Sequence, residues 1–163
     1  MNDRHRHAGK QLVGRKRTWI FQANPTRYRI LESLQAETEE LWNLNQHTRE
    51  VEVGDRVLIW ISGDGAGIYA VGRVVAAPVM SADSPTGQAY WIDTSSGRQV
   101  KLRVLVRYER IFTNQPLLKS FIACDPGLWN LAIIRQPRGT NFVVTEPEWQ
   151  TLREWLEDDS YEG

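Results

Sequence analysis

The stretch from Val53 to Val75 limits what this chain can fold into more than any other. Val53-Gly54-Asp55 is a turn signal, and Arg56-Val57-Leu58-Ile59-Trp60-Ile61-Ser62 is a nearly continuous apolar strand. Gly63-Asp64-Gly65-Ala66-Gly67 then closes a hairpin, and Ile68-Tyr69-Ala70-Val71-Gly72-Arg73-Val74-Val75 returns. The glycines supply the positive φ angles that tight hairpins demand. A phosphate cradle at Gly63–Gly67 is disfavoured, because a strand follows the loop and no helix N-terminus waits there for an anion.

Other elements fall around this hairpin. Thr18–Ala23 has the β-branched and aromatic content of a strand, and Asn24-Pro25 stops it. From Tyr28 to Leu44 the apolar spacing predicts one or two helices. Residues 78–98 form a polar excursion broken by Tyr90-Trp91-Ile92. Strict alternation then places Leu102, Val104, Val106 and Tyr108 on one face of a half-buried strand, with Lys101, Arg103, Arg107 and Glu109 on the other. Leu117–Cys124 reads as a short helix, and Phe142–Val144 as a short strand. Thr145-Glu146-Pro147-Glu148 has the form of a capping box. It opens an amphipathic helix with Trp149, Leu152, Leu156 and Trp155 on its buried stripe. The expected fold class is α+β: one domain, a partly closed β-barrel decorated by helices.

Length and composition agree with a single globular domain. The chain has 163 residues, 41% of them hydrophobic and 25% charged. No apolar run approaches the roughly 20 residues of a membrane span, and the start lacks the apolar stretch of a signal peptide. One cysteine, Cys124, excludes an intramolecular disulfide and favours a cytoplasmic location. His5, His7, His47 and Cys124 show no metal-ligand spacing, so no metal and no cofactor is expected.

The formal net charge is zero, yet charge is divided along the chain. Residues 1–17 carry Arg4, Arg6, Lys10, Arg15, Lys16 and Arg17 against Asp3 alone. From Thr145 onward, Glu146, Glu148, Glu154, Glu157, Asp158, Asp159 and Glu162 face Arg153 alone. The first seventeen residues read as a basic, disordered arm, residues 18–158 as the domain, and residues 159–163 as a flexible tail. Two readings of the arm stand: phosphate contact with counterion release, or a solubilising start.

No catalytic set can be assembled. His47 and Cys124 each lack a partner that would make a base or nucleophile. His47, beside Asn45 and Thr48, reads as a turn residue, and Cys124 as a small buried hydrophobe. The unusual feature is aromatic, with seven tryptophans. Trp19, Trp149 and Trp155 fit core positions. Trp42 sits at an expected helix end beside asparagines, Trp60 just before the hairpin turn, and Trp91 in the polar excursion. An indole stacks on a nucleobase at roughly 1–3 kcal/mol, and amides read base edges. Filling a small barrel core is the competing account of the same residues.

Four segments, in this order and spacing, resemble an EVE domain, a member of the PUA-like superfamily related to YTH reader domains. They are Trp19–Pro25, Glu52–Trp60 with its Val-Gly-Asp, Gly67–Val74, and Arg135–Phe142 followed by the Thr-Glu-Pro-Glu-Trp helix start. The resemblance implies a PUA-like pseudobarrel holding a modified nucleobase in an aromatic cage. In YTH readers that base is N6-methyladenine in RNA; EVE domains are linked to modified cytosine in DNA. Carried over, it implies a pocket of Trp42, Trp60, Ser62 and Trp91, with Gln22, Asn24, Asn45 and Asn141 as polar contacts. The chain departs from the commoner pattern at Gln22-Ala23-Asn24-Pro25, where the family more often has Lys or Ser and then Ser or Glu. Phosphate contacts are expected from Arg15, Lys16, Arg17, Arg98, Lys101 and Arg103.

The expected function is therefore a non-catalytic reader that holds a flipped base. Modified cytosine in DNA, such as 5-methylcytosine or 5-hydroxymethylcytosine, ranks ahead of RNA. Cleavage would need a separate nuclease or other effector. The alternatives are a protein-interaction module using the acidic C-terminal helix, and, behind it, an enzyme acting on nucleic acid or nucleotides.

Overall fold

Two strands with no polar face organise the molecule. In the computed structural model, which describes residues 16–157, β1 (Thr18–Ala23) and β3 (Arg56–Ile61) pair in parallel, Thr18 opposite Arg56 and Ala23 opposite Ile61. Both are buried on their two sides, as parallel pairs usually are. The hairpin partner β4 (Gly67–Val74) pairs antiparallel with β3, with a register shift at Ile59/Trp60. Gly63 (φ 93°) and Gly65 (φ 73°) take the left-handed conformation the loop requires. The main sheet then extends through β6 (Lys101–Ile111) to β2 (Glu39–Asn43) on one side, and from β1 to β8 (Asn141–Val144) on the other. Short strands β5 (Val79–Ser81) and β7 (Leu117–Leu118) add to β6 and β4.

Six helices decorate this curled mixed sheet among the described residues, giving an α+β single domain. They are α1 (Ile30–Ala36), α2 (Pro85–Gln88), α3 (Thr94–Arg98), α4 (Lys119–Ile122), α5 (Ala132–Arg135) and α6 (Glu146–Glu157). The capping box is formed at α6: the Thr145 amide donates to Glu148 Oε1 at 2.9 Å, and the Glu148 amide to Thr145 Oγ1 at 3.3 Å. Among the described residues no helix is long and apolar enough to cross a membrane.

The side chains of β1 and β3 alternate between two cores. Trp19, Phe21, Val57 and Ile59 join Trp42, Val104 and Val106 inside the curl of the sheet. Ile20, Leu58 and Trp60 point the other way, against Ile68, Leu128, Trp149, Leu152 and Leu156. Period-two geometry makes this division unavoidable.

Three expectations change here. The Tyr28–Leu44 region is not helical throughout: α1 stops at Ala36, and Glu39–Asn43 is strand β2, ladder-paired with Arg103–Arg107 of β6. Glu-Glu-Leu favours a helix locally, but the free edge of β6 overrides that weak preference. The Leu117–Cys124 region splits into β7 and the single turn α4. Cys124 itself is exposed, not a buried hydrophobe, because it follows α4 on the solvent side.

Candidate functional site

A cavity of about 830 Å³ opens where the C-terminal ends of β1 and β3 meet β2. Gln22, Ala23 and Asn24 come from β1 and the turn after it, and Ser62 follows β3. Glu40–Asn43 of β2 supply one wall, continued by Asn45 and Gln46. Trp91 and Ser96 enter from the polar excursion, Lys101 from β6, and residues 137–140 from the loop before β8.

Of the three expected cage tryptophans, two line this cavity and one does not. Trp42 lies in the wall but is only 7% exposed, so little of its ring is open to a ligand. Its indole N–H donates to Tyr108 Oη at 3.0 Å. Trp91 is partly open, its indole N–H donating to Asp83 Oδ2 at 2.8 Å. Trp60 falls on the opposite face of β3 and is packed in the second core at 3% exposure. Its position one residue from Ile61 decides this, since neighbouring strand residues face opposite sides.

A polar network that the sequence did not reveal joins the two lining tryptophans. Glu40, buried on β2, accepts from Tyr28 Oη at 2.6 Å on Oε1, and from Tyr108 Oη and Ser33 Oγ (3.1 Å) on Oε2. Tyr108 receives the Trp42 indole N–H. The Tyr28 ring stands edge-on to Trp91 with centroids 5.0 Å apart. Burial pushes the Glu40 carboxyl above its ordinary value, against the pull of its three hydroxyl donors. Burial, then the charge of Glu40, pushes the Tyr28 phenol upward, and Tyr108 follows for the same reasons. Glu40 ends the acidic stretch Glu37-Thr38-Glu39-Glu40, a composition that favours solvent exposure. The only signal against that is its place two residues before Trp42, hence on the same buried face of a strand.

The expected polar contacts divide. Asn45 and Ser62 line the cavity, with Asn45 Nδ2 donating to Thr140 Oγ1 at 2.8 Å and Ser62 Oγ to the Ala23 carbonyl at 3.3 Å. Asn43 and Gln46, absent from the expected set, line it too. Gln22 also lines it, but its amide N–H groups donate to the carbonyls of Pro137 (2.9 Å) and Gly139 (2.8 Å). Asn24 uses its Oδ1 to accept from the Thr26 amide and hydroxyl. Asn141 is buried outside the lining, accepting from the amides of Asn45 and Gln46 and donating to the Asn43 carbonyl.

The expected phosphate contacts also scatter. Lys101 is exposed on the cavity wall, and Arg98 is exposed on α3 without lining it. Arg103 is fully buried and cannot meet a phosphate. The excursion folds over it, and its guanidinium donates to the Ser81 (3.0 Å) and Gln99 (3.0 Å) carbonyls and to Asn43 Oδ1 (2.6 Å). Lys16 and Arg17 precede β1, at the end opposite the cavity, with Lys16 Nζ on the Val53 carbonyl at 3.1 Å. Arg15 lies outside the described residues, as do the rest of the arm and residues 158–163. Neither His47 nor Cys124 lines the cavity. His47 turns the chain at φ 56°, its ring 5.0 Å from that of Trp19.

Solved structures share this architecture. A hypothetical protein from Leishmania major is 17% identical with a TM-score of 0.68, covering 90% of this chain and 98% of its own. Protein Atu2648 from Agrobacterium tumefaciens is 18% identical with a TM-score of 0.63, covering 86% and 93%. Human THYN1 protein, in complex with DNA containing 5-methylcytosine, is 15% identical with a TM-score of 0.63, covering 88% and 99%. At such identities the likeness is one of fold. No curated protein matches the sequence. The EVE domain model matches residues 17–155, and the chain belongs to the EVE domain family.

Proposed function

We propose that this protein is a non-catalytic nucleic-acid reader that accepts an extruded, modified base in the cavity beside Trp91, with modified cytosine in DNA as the leading ligand. The observation that carries the reading is one cavity joining a partly open indole to unsaturated amides. Trp91 offers a stacking face, while Trp42 offers an edge of the wall rather than a second slab. The Asn43 amide nitrogen and the Asn45 carbonyl oxygen make no side-chain hydrogen bond among the described residues, so they remain as one donor and one acceptor for a base edge. Nucleic-acid binding draws support from human THYN1, a relative in fold with 5-methylcytosine DNA bound.

The physics limits how sharp such a reader can be. Burying one methyl group is worth on the order of 0.8 kcal/mol, a few-fold in affinity before stacking adds to it. Extrusion costs least from single strands and mismatches. Affinity therefore rests on backbone contacts, and selectivity on the cavity.

The test is a titration with labelled oligonucleotides carrying cytosine, 5-methylcytosine, 5-hydroxymethylcytosine or N6-methyladenine, as DNA and as RNA, at two salt concentrations. A preference for modified cytosine that persists at high salt is expected. Equal binding that salt erases would contradict the reading.

A further inference from the structure

Three cations stand at the cavity without a side-chain partner among the described residues. Arg27, Lys101 and Arg138 are exposed, all three line the cavity, and none makes a side-chain hydrogen bond or ion pair among the described residues. The one carboxylate lining the cavity is Glu40, whose oxygens are already occupied by Tyr28, Tyr108 and Ser33. Close to Arg27 and Arg138 in sequence, Arg29 donates to the Ala89 carbonyl and Arg135 to the Asn130 carbonyl, while Arg98, exposed on α3 near Lys101, lies off the cavity.

Two of these cations sit on segments held by side-chain amides. The loop carrying Arg138 is fastened on both sides by Gln22, which donates to the carbonyls of the residues immediately before and after it, Pro137 and Gly139. The turn carrying Arg27 is fixed by Asn24, whose Oδ1 accepts from the backbone and hydroxyl of Thr26. In addition the Arg27 amide donates to the Asn24 carbonyl at 2.9 Å, and its own carbonyl accepts from Ile92. The backbone that carries each arginine is thus held at the opening.

We infer that Arg27, Lys101 and Arg138 form a rim that grips the sugar–phosphate backbone on either side of the base in the cavity, and that Gln22 and Asn24 are positioning residues for its two arginines. This rests on the reader proposed above and assigns its backbone contacts. It replaces the buried Arg103 with residues that can reach a phosphate. It also separates the rim from Lys16 and Arg17, which lie the length of β1 away, roughly 17 Å for six residues of strand.

The test is the salt dependence of binding to a single-stranded oligonucleotide with one 5-methylcytosine, with an unmodified oligonucleotide alongside. Each phosphate contact on a single strand contributes about 0.7 to the slope of log affinity against log salt. The Arg27→Ala/Arg138→Ala variant should lose about 1.4 of that slope, so its affinity falls about sevenfold less between about 50 and 200 mM salt. Its melting temperature and its ratio of modified to unmodified binding should hold. Gln22→Ala should mimic Arg138→Ala, and adding it to Arg138→Ala should remove nothing more. An unchanged slope with the base preference intact overturns the rim and leaves the reader standing. A lowered slope with no base preference in the wild type keeps the rim and overturns the reader. Absence of binding by the wild type at low salt overturns both.

Discussion

Gln46 and Asn141 exchange hydrogen bonds across the gap between the two outer strands of the sheet. The Asn141 amide donates to Gln46 Oε1 at 2.9 Å, and the Gln46 amide donates to Asn141 Oδ1 at 3.2 Å. Asn141 begins β8 and Gln46 follows β2, which are the two ends of the main sheet's pairing order. No ladder joins these strands, so side-chain amides take over where main-chain pairing stops. The same seam forms the wall of the cavity through Asn45, Gln46 and Thr140. An asparagine expected to touch a base thus holds the wall that other residues present to it.

Removing that clasp should loosen the fold. Asn141→Ala leaves the Asn45 and Gln46 amides and the Asn43 carbonyl without their partner. Each buried polar group left unmatched costs about 1–3 kcal/mol, so a loss of about 2–4 kcal/mol is expected in a denaturant titration. A change below about 0.5 kcal/mol would mean water replaces the clasp at no cost.

Arg103→Ala separates a structural cation from a phosphate contact. Its guanidinium satisfies carbonyls of Ser81 and Gln99 beneath the excursion. Truncation should lower stability by about 3 kcal/mol or more, measured by urea unfolding. A folded, equally stable variant with weaker oligonucleotide binding would restore the phosphate role.

Glu40 should leave a signature in the pH dependence of stability. In the unfolded chain its proton leaves near the ordinary value of 4.5, whereas burial in the fold holds it to higher pH. The native state binds more protons across the window above 4.5. Glu40's contribution to stability therefore falls as pH rises through that window, and levels off above the raised value. Glu40→Gln cannot titrate, so wild type should lose stability relative to the variant as pH climbs through this range. Parallel profiles for the two proteins would rule the effect out.

Trp91 is held by an absent side chain as well as by Asp83. A Cβ on Gly97 would sit 2.6 Å from Trp91 Cδ1. Gly97→Ala should displace the indole, and Trp91→Ala should delete it. Each is expected to weaken oligonucleotide binding, the second by about 1–3 kcal/mol, or roughly 5- to 150-fold. Circular dichroism should show the fold retained. Unchanged binding by Trp91→Ala would remove the indole from the site. Trp42→Ala is the poorer probe, since deleting a buried indole costs about 3–5 kcal/mol of stability.

The hairpin, the alternating strand β6 and the capped helix α6 were legible because each carries its own local pattern. Strand β2 was not, because Glu39–Asn43 becomes a strand only by pairing with β6. Of the pocket that the EVE resemblance implies, Trp42, Trp91, Gln22, Asn24, Asn45 and Ser62 do line the cavity. Trp60 misled because its sequence neighbourhood does not show which face of β3 it takes. Arg103 misled because alternation places it on a polar face, and only the folded excursion shows that this face is covered. Tyr28, Glu40 and Tyr108 come from three separate elements, and nothing in sequence brings them together.

Everything in the reader turns on a single base leaving its stack and entering the cavity beside Trp91. A crystal structure of the protein with a short oligonucleotide carrying one 5-methylcytosine would show whether it does. That base is expected inside the cavity, stacked on Trp91, with flanking phosphates near Arg27, Lys101 and Arg138. An oligonucleotide bound elsewhere on the surface, its methylated base outside the cavity, would contradict it.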